Sequence, residues 1–333
     1  MAKTASTFYR WSKVVTILEI MKGEFELIDE IKKMFPVPEG IRGIGDDCAV
    51  IPQKNGWETL VSTDMLVEGS HFLMDEITPY QLGWKSAAVN FSDIAAMGGI
   101  PVGSFLALAL PKTLPEGWMK EFMKGYKDIS EKYGFPLLGG DTTSSPDRLN
   151  ICVTAMGKAL AGRSKKRDSA KPGDLICVTG FLGDSAAGLK AVLNRVERDE
   201  TVAYLLECHY LPLPRIEEGI MLARYEGVHA MMDISDGVGS DLRHILDESG
   251  VGAVIDTEAL PTSMQMEEFC SRYGIDKVET ALCGGEDYEL LFTVSKEAEA
   301  GLDVRHTVIG TITEEKELVW KGSEKDYMGF RHF

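Results

Sequence analysis

Isolated aspartates recur where apolar or glycine-rich runs end. They are Asp46 and Asp47 in GIGDDCAV, Asp64 in VSTDML, Asp93 in NFSDIAAMGG and Asp141 in LLGGDTT. The second half adds Asp233 and Asp236 in MDISDG, and Glu286-Asp287 in GGEDYEL. A carboxylate desolvated among apolar neighbours needs a partner. Amide N–H groups of nearby glycines are one partner; a divalent cation is another. Mg²⁺ takes a few carboxylates together with water and phosphate oxygens. Oxygen-rich loops without paired His or Cys favour it over Zn²⁺. Singly, each Asp is explained by capping a turn or helix. Together they form a candidate metal–phosphate site.

Glycines make the second feature: Gly98-Gly99, Gly139-Gly140, Gly180 and Gly183, and Gly284-Gly285. GFLGDSAAG lies between a strand pattern and a helix pattern. It is either a tight βα turn or a cradle of amides and a helix N-terminus for an anion. The chain has no GxxxxGK[ST] run and no HRD and DFG pair. GIGDDC lacks the strand before and the helix after that a dinucleotide fingerprint requires. A nucleotide enzyme built on this chain belongs to none of those common classes.

These loops hang on alternating elements. FELIDEIKKMF (25–35) is a short amphipathic helix ended by Pro36 and Pro38. IRGIGDDCAVI (41–51) is a loop entering a strand, and TLVSTDML is a strand carrying Ser62, Thr63 and Asp64 at its end. Residues 79–97 form a helix, 104–111 an apolar strand, 116–132 an amphipathic helix, 135–143 a strand running into a loop, and 149–159 a strand. The order β-β-α-β-α-β predicts an α/β sandwich of the ferredoxin type rather than a doubly wound sheet. A basic, turn-rich stretch at 162–172 marks a boundary. Beyond it come strand, glycine loop and helix (174–193), a linker containing Pro212 and Pro214, a helix at 215–225 and the ISDG turn. A helix reaching Leu246, capped by Ser240 or Asp241, follows. Further strands lie at 250–260, 288–294, 306–312 and, weakly, 316–320; 264–273 and 278–282 have weaker patterns. Three parts are expected: an extension (1–24), an N-terminal domain (25–161) and a C-terminal α/β domain (162–333).

The chain has 333 residues, 44% of them hydrophobic, and a formal net charge of −17. That excludes a disordered chain and a small disulfide scaffold. It also counts against nucleic acid as a partner, because duplex binding needs a basic face. The six cysteines show no CxxC clip and read as small buried hydrophobes in a reducing compartment. No apolar stretch reaches the ~20 residues of a membrane span. Residues 1–20 lack a secretion-signal core, and Met21 is a second plausible start. A cytoplasmic protein without a membrane partner is the expectation.

GIGDDCAVI, STDMLVEGSHF, NFSDIAAMGG, LLGGDTT, KPGDLICVTGFLGDSAAG, MDISDGVGSDL and GEDYELLF run in order from Gly43 to Phe292. This set resembles the thiamine-monophosphate kinases of the aminoimidazole ribonucleotide synthetase-like superfamily. The resemblance implies a two-domain α/β fold whose N-terminal sheet pairs with its twin in a homodimer. It implies transfer of the γ-phosphoryl group of ATP to thiamine monophosphate, with several Mg²⁺ ions, at a site between the dimer interface and the C-terminal domain. By motif, Asp46, Asp64, Asp93, Asp141 and Asp236 would act at the reacting phosphates and hold metal. Asp233, Ser62 and Thr63 would hold metal too. Asp47 is a further ligand or hydrogen-bond acceptor. Gly140, Arg167 and Ser235 would approach ATP, and His71, Phe330 and Phe333 the thiamine.

Donor and acceptor are both anionic, so Mg²⁺ and arginine would offset their repulsion, and a phosphate oxygen needs no general base. The absence of a catalytic triad fits this chemistry. Selenophosphate synthetase and the hydrogenase-maturation dehydratase would need a reactive cysteine that this chain lacks near its start and end. Aminoimidazole ribonucleotide synthetase is the alternative enzyme. A nucleotide-binding regulatory protein is the alternative outside enzymes, and turnover dependent on thiamine monophosphate would exclude it.

Overall fold

The computed structural model describes residues 23–330. Phe333 and the first 22 residues, most of the expected extension (1–24), lie outside them. Residues 40–330 form one compact unit, and the segment before them is a separate one. That segment carries α1 (Glu24–Met34), with two acids in its first turn and two lysines in its last, matching the helix dipole.

The first sheet has the order β1-β2-β5-β3-β4. Its strands are β1 (Ala49–Pro52), β2 (Trp57–Val67), β3 (Ile100–Pro111), β4 (Leu137–Ser145) and β5 (Asn150–Leu160). All pairs are antiparallel except β3 with β4, which are joined by a helical crossover. The crossover helices are α2 (Pro79–Ala96) and α3 (Trp118–Tyr133). They meet where Gly83 and Gly125 leave no room for side chains. A Cβ on Gly83 would stand 1.9 Å from Phe122 O, and one on Gly125 1.9 Å from Tyr80 O. The opposite face is open: Met65, Phe105 and Leu138 are 56%, 39% and 51% exposed. The segment read as strand running into loop at 135–143 is strand throughout β4. Its glycines hid it, because an exposed edge strand has no apolar alternation to display.

The second sheet has the order β11-β8-β10-β6-β9-β7. Its strands are β6 (Leu175–Val178), β7 (Val228–Asp233), β8 (Gly252–Asp256), β9 (Leu290–Val294), β10 (Thr307–Thr313) and β11 (Leu318–Lys321). Helices α4 (Asp184–Leu193), α5 (Glu200–Tyr210), α6 (Ile216–Ala223), α7 (Val238–Ser249), α8 (Met264–Tyr273), α9 (Lys277–Cys283) and the short α10 (Lys296–Glu299) complete this half. Apart from the short α10, two elements depart from the sequence reading. Helix α5 occupies what reads as linker. Asp199 caps it, accepting Val202 N–H at 2.8 Å, and Val202, Leu205 and Leu206 are buried. Strand β7 precedes the ISDG turn.

Helix α2 joins the halves. Thr78 and Gln81 form a capping box at its start, with Pro79 in the first turn. It packs on β2 and β5 on one side and on α6 and β7 on the other. Such a helix is buried nearly all round, which explains its small residues: Ala87, Ala88, Ala95 and Ala96 are fully buried. The polar groups on α2 therefore face partners from both halves.

Candidate active site

Asp93 lies in the last turn of α2 and is held from the first sheet. Ser62 Oγ donates to Asp93 Oδ2, and the Asp64 carboxyl is near enough to Asp93 for each to shift the other's protonation. Asn90, one turn earlier, accepts Asp64 N–H at 3.0 Å. From the second sheet comes Asp233, at the end of β7, whose Oδ2 accepts Ser92 Oγ–H at 2.5 Å. Asp47 enters from the turn before β1, where Arg167 Nη2 donates to its Oδ1. Asp47, Asp93 and Asp233 each present a carboxylate oxygen, and these three lie within 4.8 Å of one another.

Such a group cannot all ionise without a cation. Burial raises the Asp93 carboxyl well above the ordinary range, and the charges of Asp64, Asp233 and Asp47 raise it further. Burial raises Asp64 too, and raises Asp47 even against Arg167. Asp233 is pushed up to about 7, first by burial and then by Asp47. Among the described residues the buried Oδ2 of Asp47 and Nε of Arg167 have no hydrogen-bond partner; Asp46 Oδ2 has none either, but it meets Arg42 in an ion pair. An unpaired carboxylate oxygen among acids awaits a cation, and an unpaired guanidinium N–H beside it awaits an anion. All the donors to a metal here are oxygens, which fits Mg²⁺.

The other residues singled out in the sequence fall at different distances from this group. Asp46 pairs with Arg42 and accepts Arg167 N–H at 2.9 Å. Thr63 is on the open face, its hydroxyl donating to Val153 O at 3.0 Å. Gly140 and Asp141 are on the exposed strand β4. Asp141 shares a cross-strand row with Ala107, Cys152 and Met65. It is three strand spacings from β2, about 14 Å, and on the open face, whereas Asp64 is on the helix-covered one. Asp236 is in the turn after β7, where its carbonyl accepts Phe330 N–H at 3.0 Å. Ser235 O accepts Glu286 N–H at 2.8 Å. His71 accepts Val67 N–H on Nδ1 at 3.0 Å, so the proton of the neutral ring is on Nε2. Cys48 Sγ donates to Asp93 O at 3.4 Å, and burial raises its thiol well above the usual value, so it stays protonated.

Two features escape sequence reasoning. Lys85, 1% exposed on α2, pairs with Glu286 Oε2 at 2.9 Å, and His209 Nδ1 lies 3.4 Å from the same oxygen. This ties α2 to the GGED loop, where Glu286 adopts a positive φ of 63°. Burial works against the Glu286 charge, but Lys85 overrides it and holds the carboxyl below its ordinary range. The signal was a lone lysine amid the apolar positions of LGWKSAAV. The second feature is the glycine loop, which is a tight βα turn. Asp287 accepts Gly183 N–H at 2.8 Å and Ser185 N–H at 3.4 Å, so those amides are engaged from within the chain.

The AIR synthase related protein N-terminal domain model matches residues 45–159, and the corresponding C-terminal domain model matches residues 171–321. A thiamine-monophosphate kinase of Buchnera aphidicola subsp. Schizaphis graminum is 40% identical, covering 93% of this chain and 98% of its own. That of Salmonella typhimurium is 47% identical over 79% of each chain. The solved structure of AaThiL complexed with AMPPCP and TMP is 36% identical, covers 98% of this chain and 100% of its own, and superposes with a TM-score of 0.86. With both domains matched in order around the acidic seam, the chain belongs to the thiamine-monophosphate kinase family, within the AIR synthase related group.

Proposed function

We infer that the chain transfers the γ-phosphoryl group of ATP to the phosphate of thiamine monophosphate, giving thiamine diphosphate and ADP. The observation that carries this reading is the convergence of Asp47, Asp93 and Asp233 from three elements, with the unpaired Asp47 Oδ2 beside the unpaired Arg167 Nε. The related structure complexed with AMPPCP and TMP supports the choice of substrates.

Asp47, Asp64, Asp93 and Asp233 would hold Mg²⁺. When bound, Mg²⁺ offsets the charge of the polyphosphate and stabilises the transferring group. The rest falls to the chain. Ser62 and Ser92 fix the rotamers of Asp93 and Asp233 by donating to them. Asp46 holds the main chain of Arg167, whose guanidinium clamps phosphate. Asp236 and Ser235, one turn beyond Asp233, are at hand for further contacts to metal and nucleotide. His71 Nε2–H and the segment at Phe330 and Phe333 serve thiamine monophosphate. No residue needs to remove a proton, because the accepting phosphate oxygen is already ionised near neutral pH. The work is positioning and charge stabilisation.

Gly140, Asp141 and Thr63 belong to this site through a second copy of the chain. The open face of the first sheet and the unpaired edge of β4 are what a homodimer would cover. The domain of residues 25–161 would then bind ATP and dimerise, leaving residues 162–333 as the second wall. All six cysteines are unpaired, which fits a cytoplasmic protein. Among the described residues no helix is long and apolar enough to cross a membrane.

The test is transfer from γ-labelled ATP to thiamine monophosphate with Mg²⁺ and identification of the product. Labelled thiamine diphosphate is the expected result. Hydrolysis of ATP indifferent to thiamine monophosphate would overturn the reading.

A further inference from the structure

A second charged recess, of opposite sign, lies on the segment connecting the two sheets. It encloses about 320 Å³ and is lined by Arg163, Lys165, Lys166, Lys171, Glu226 and His229, among others. Four cations face one acid there, in a chain whose net charge is −17. Lys166 pairs with Ala230 in a bridge, so its backbone is extended. Successive side chains of extended backbone point opposite ways. Arg167 turns to Asp47, and Lys166 therefore lines a different surface.

The recess is built rather than incidental. Lys165 is 9% exposed, and its ammonium donates to Tyr225 O at 2.9 Å and Val228 O at 2.6 Å. Lys171 Nζ lies 3.1 Å from His229 Nε2, while His229 Nδ1 faces Asp174 Oδ2 at 2.8 Å. The imidazole thus donates from Nδ1 and accepts the lysine, which fixes the lysine head. The positive charge is only partly offset, by Asp168 near Lys166 and by Asp174 behind His229. Arg163 meets Glu226 at 3.3 Å, but that glutamate is 84% exposed, and such a rim pair is weak. Lys166 Nζ makes no hydrogen bond or close ion pair among the described residues, and acts at longer range on the carboxylate of Asp168. Burial, and next the charge of Arg163, push Lys165 down to about 8.

We propose that this recess binds a compact polyanion, a diphosphate group either free or carried on an ester. Lys166, Arg163 and Lys171 make the contacts, and Lys165 is a fixed charge beneath them. Lysines bind phosphoryl oxygens as point charges, and the recess is within the size range of small-ligand sites. The proposal is independent of the reaction inferred above.

Its test is calorimetric titration of the full chain with inorganic diphosphate in EDTA, where the uncompensated acids of the other site repel anions. Saturable binding of one equivalent is expected, weakened roughly tenfold or more by Lys166→Glu and by added NaCl. Lys166→Ala, which introduces no new charge, should weaken binding less, and thermal unfolding verifies the fold of both. ADP titrated in the same way separates the sources: tighter binding than diphosphate assigns the site to an ester-borne group, and weaker binding to the free anion. No saturable binding at millimolar diphosphate would overturn the proposal. So would an affinity unchanged by Lys166→Glu, or one lost in Arg167→Ala but kept in Lys166→Glu.

Discussion

Two groups of buried carboxylates look alike in the sequence and differ in the fold. Asp47, Asp93 and Asp233 meet at the seam of the two sheets; Asp184 and Asp287 lie around the start of α4. Burial raises the carboxyls in both groups. The difference is in the donors. Asp287 receives two main-chain N–H groups, and Asp184 receives the hydroxyls of Ser263 at 2.5 Å and Tyr204 at 3.0 Å. In the seam, Asp93 and Asp233 each have one serine donor, and Asp47 keeps an unpaired oxygen. Burial therefore does not distinguish an ion site from a structural carboxylate. Counting donors against lone pairs does.

The largest effect should come from charge removal in the seam. Asp93→Asn and Asp233→Asn nearly keep side-chain shape but lose the charge that holds a cation. Turnover should fall about a hundredfold or more, with a shifted Mg²⁺ dependence. Metal-free stability should hold or rise, because repulsion among the acids is relieved. The measurements are turnover against Mg²⁺ concentration and thermal unfolding in EDTA. Near-normal turnover in folded Asp93→Asn would remove that residue from the site.

Asp287→Asn should do the reverse. An amide cannot accept from both Gly183 and Ser185, so one buried donor is left unmet at a cost of about 1–3 kcal/mol. Denaturant unfolding should show that loss, while the Mg²⁺ dependence of turnover stays unchanged. A stable variant with an altered metal response would place Asp287 with the seam acids and break the comparison.

A third effect is in pH. The folded Asp233 carboxyl is raised from 3.8 to about 7, so between these values the native state holds a proton that the unfolded state has lost. Stability of the metal-free protein should therefore fall as pH rises through this window. Mg²⁺ takes the place of protons, so its stabilisation should be larger at pH 8 than at pH 6. Melting temperatures with and without Mg²⁺ at the two pH values check this. An equal shift at both would mean that the seam does not exchange protons for metal.

Much of this was readable in the residues, for identifiable reasons. Helices α2 and α3 and strands β3 and β5 carry strong apolar patterns because they bury one face or more. Asp64, Asp93 and Asp233 stand out as acids at the ends of such patterns. Helix α5 was hidden because ETVAYLLECHY mixes charge with its buried face and is flanked by charges and prolines. The glycine loop could not be assigned between turn and anion cradle, because that depends on Asp287 arriving from more than 100 positions away. Nor does sequence say which of two adjacent acids faces the seam. Both side chains are buried, but after the turn at Gly45, φ 136°, Asp47 faces the seam and Asp46 faces Arg42.

That last distinction yields the finest test. Asp46 accepts Arg167 N–H and pairs with Arg42, and both contacts position backbone rather than hold a cation. Asn at position 46 keeps one acceptor for the amide and weakens the pair with Arg42, itself a partly exposed arginine. Turnover should fall severalfold, about 1 kcal/mol of lost positioning, with the Mg²⁺ dependence unmoved. Asp47→Asn should instead match Asp93→Asn, because its unpaired oxygen has no other use. Exposed Asp75 sets the floor: Asp75→Asn should change neither turnover nor unfolding measurably. Comparing Mg²⁺ titrations of the neighbouring variants cancels general effects of altering the turn. If Asp46→Asn shifts the metal dependence and Asp47→Asn does not, the inward acid has been misassigned, and the orphaned oxygen no longer marks where the cation sits.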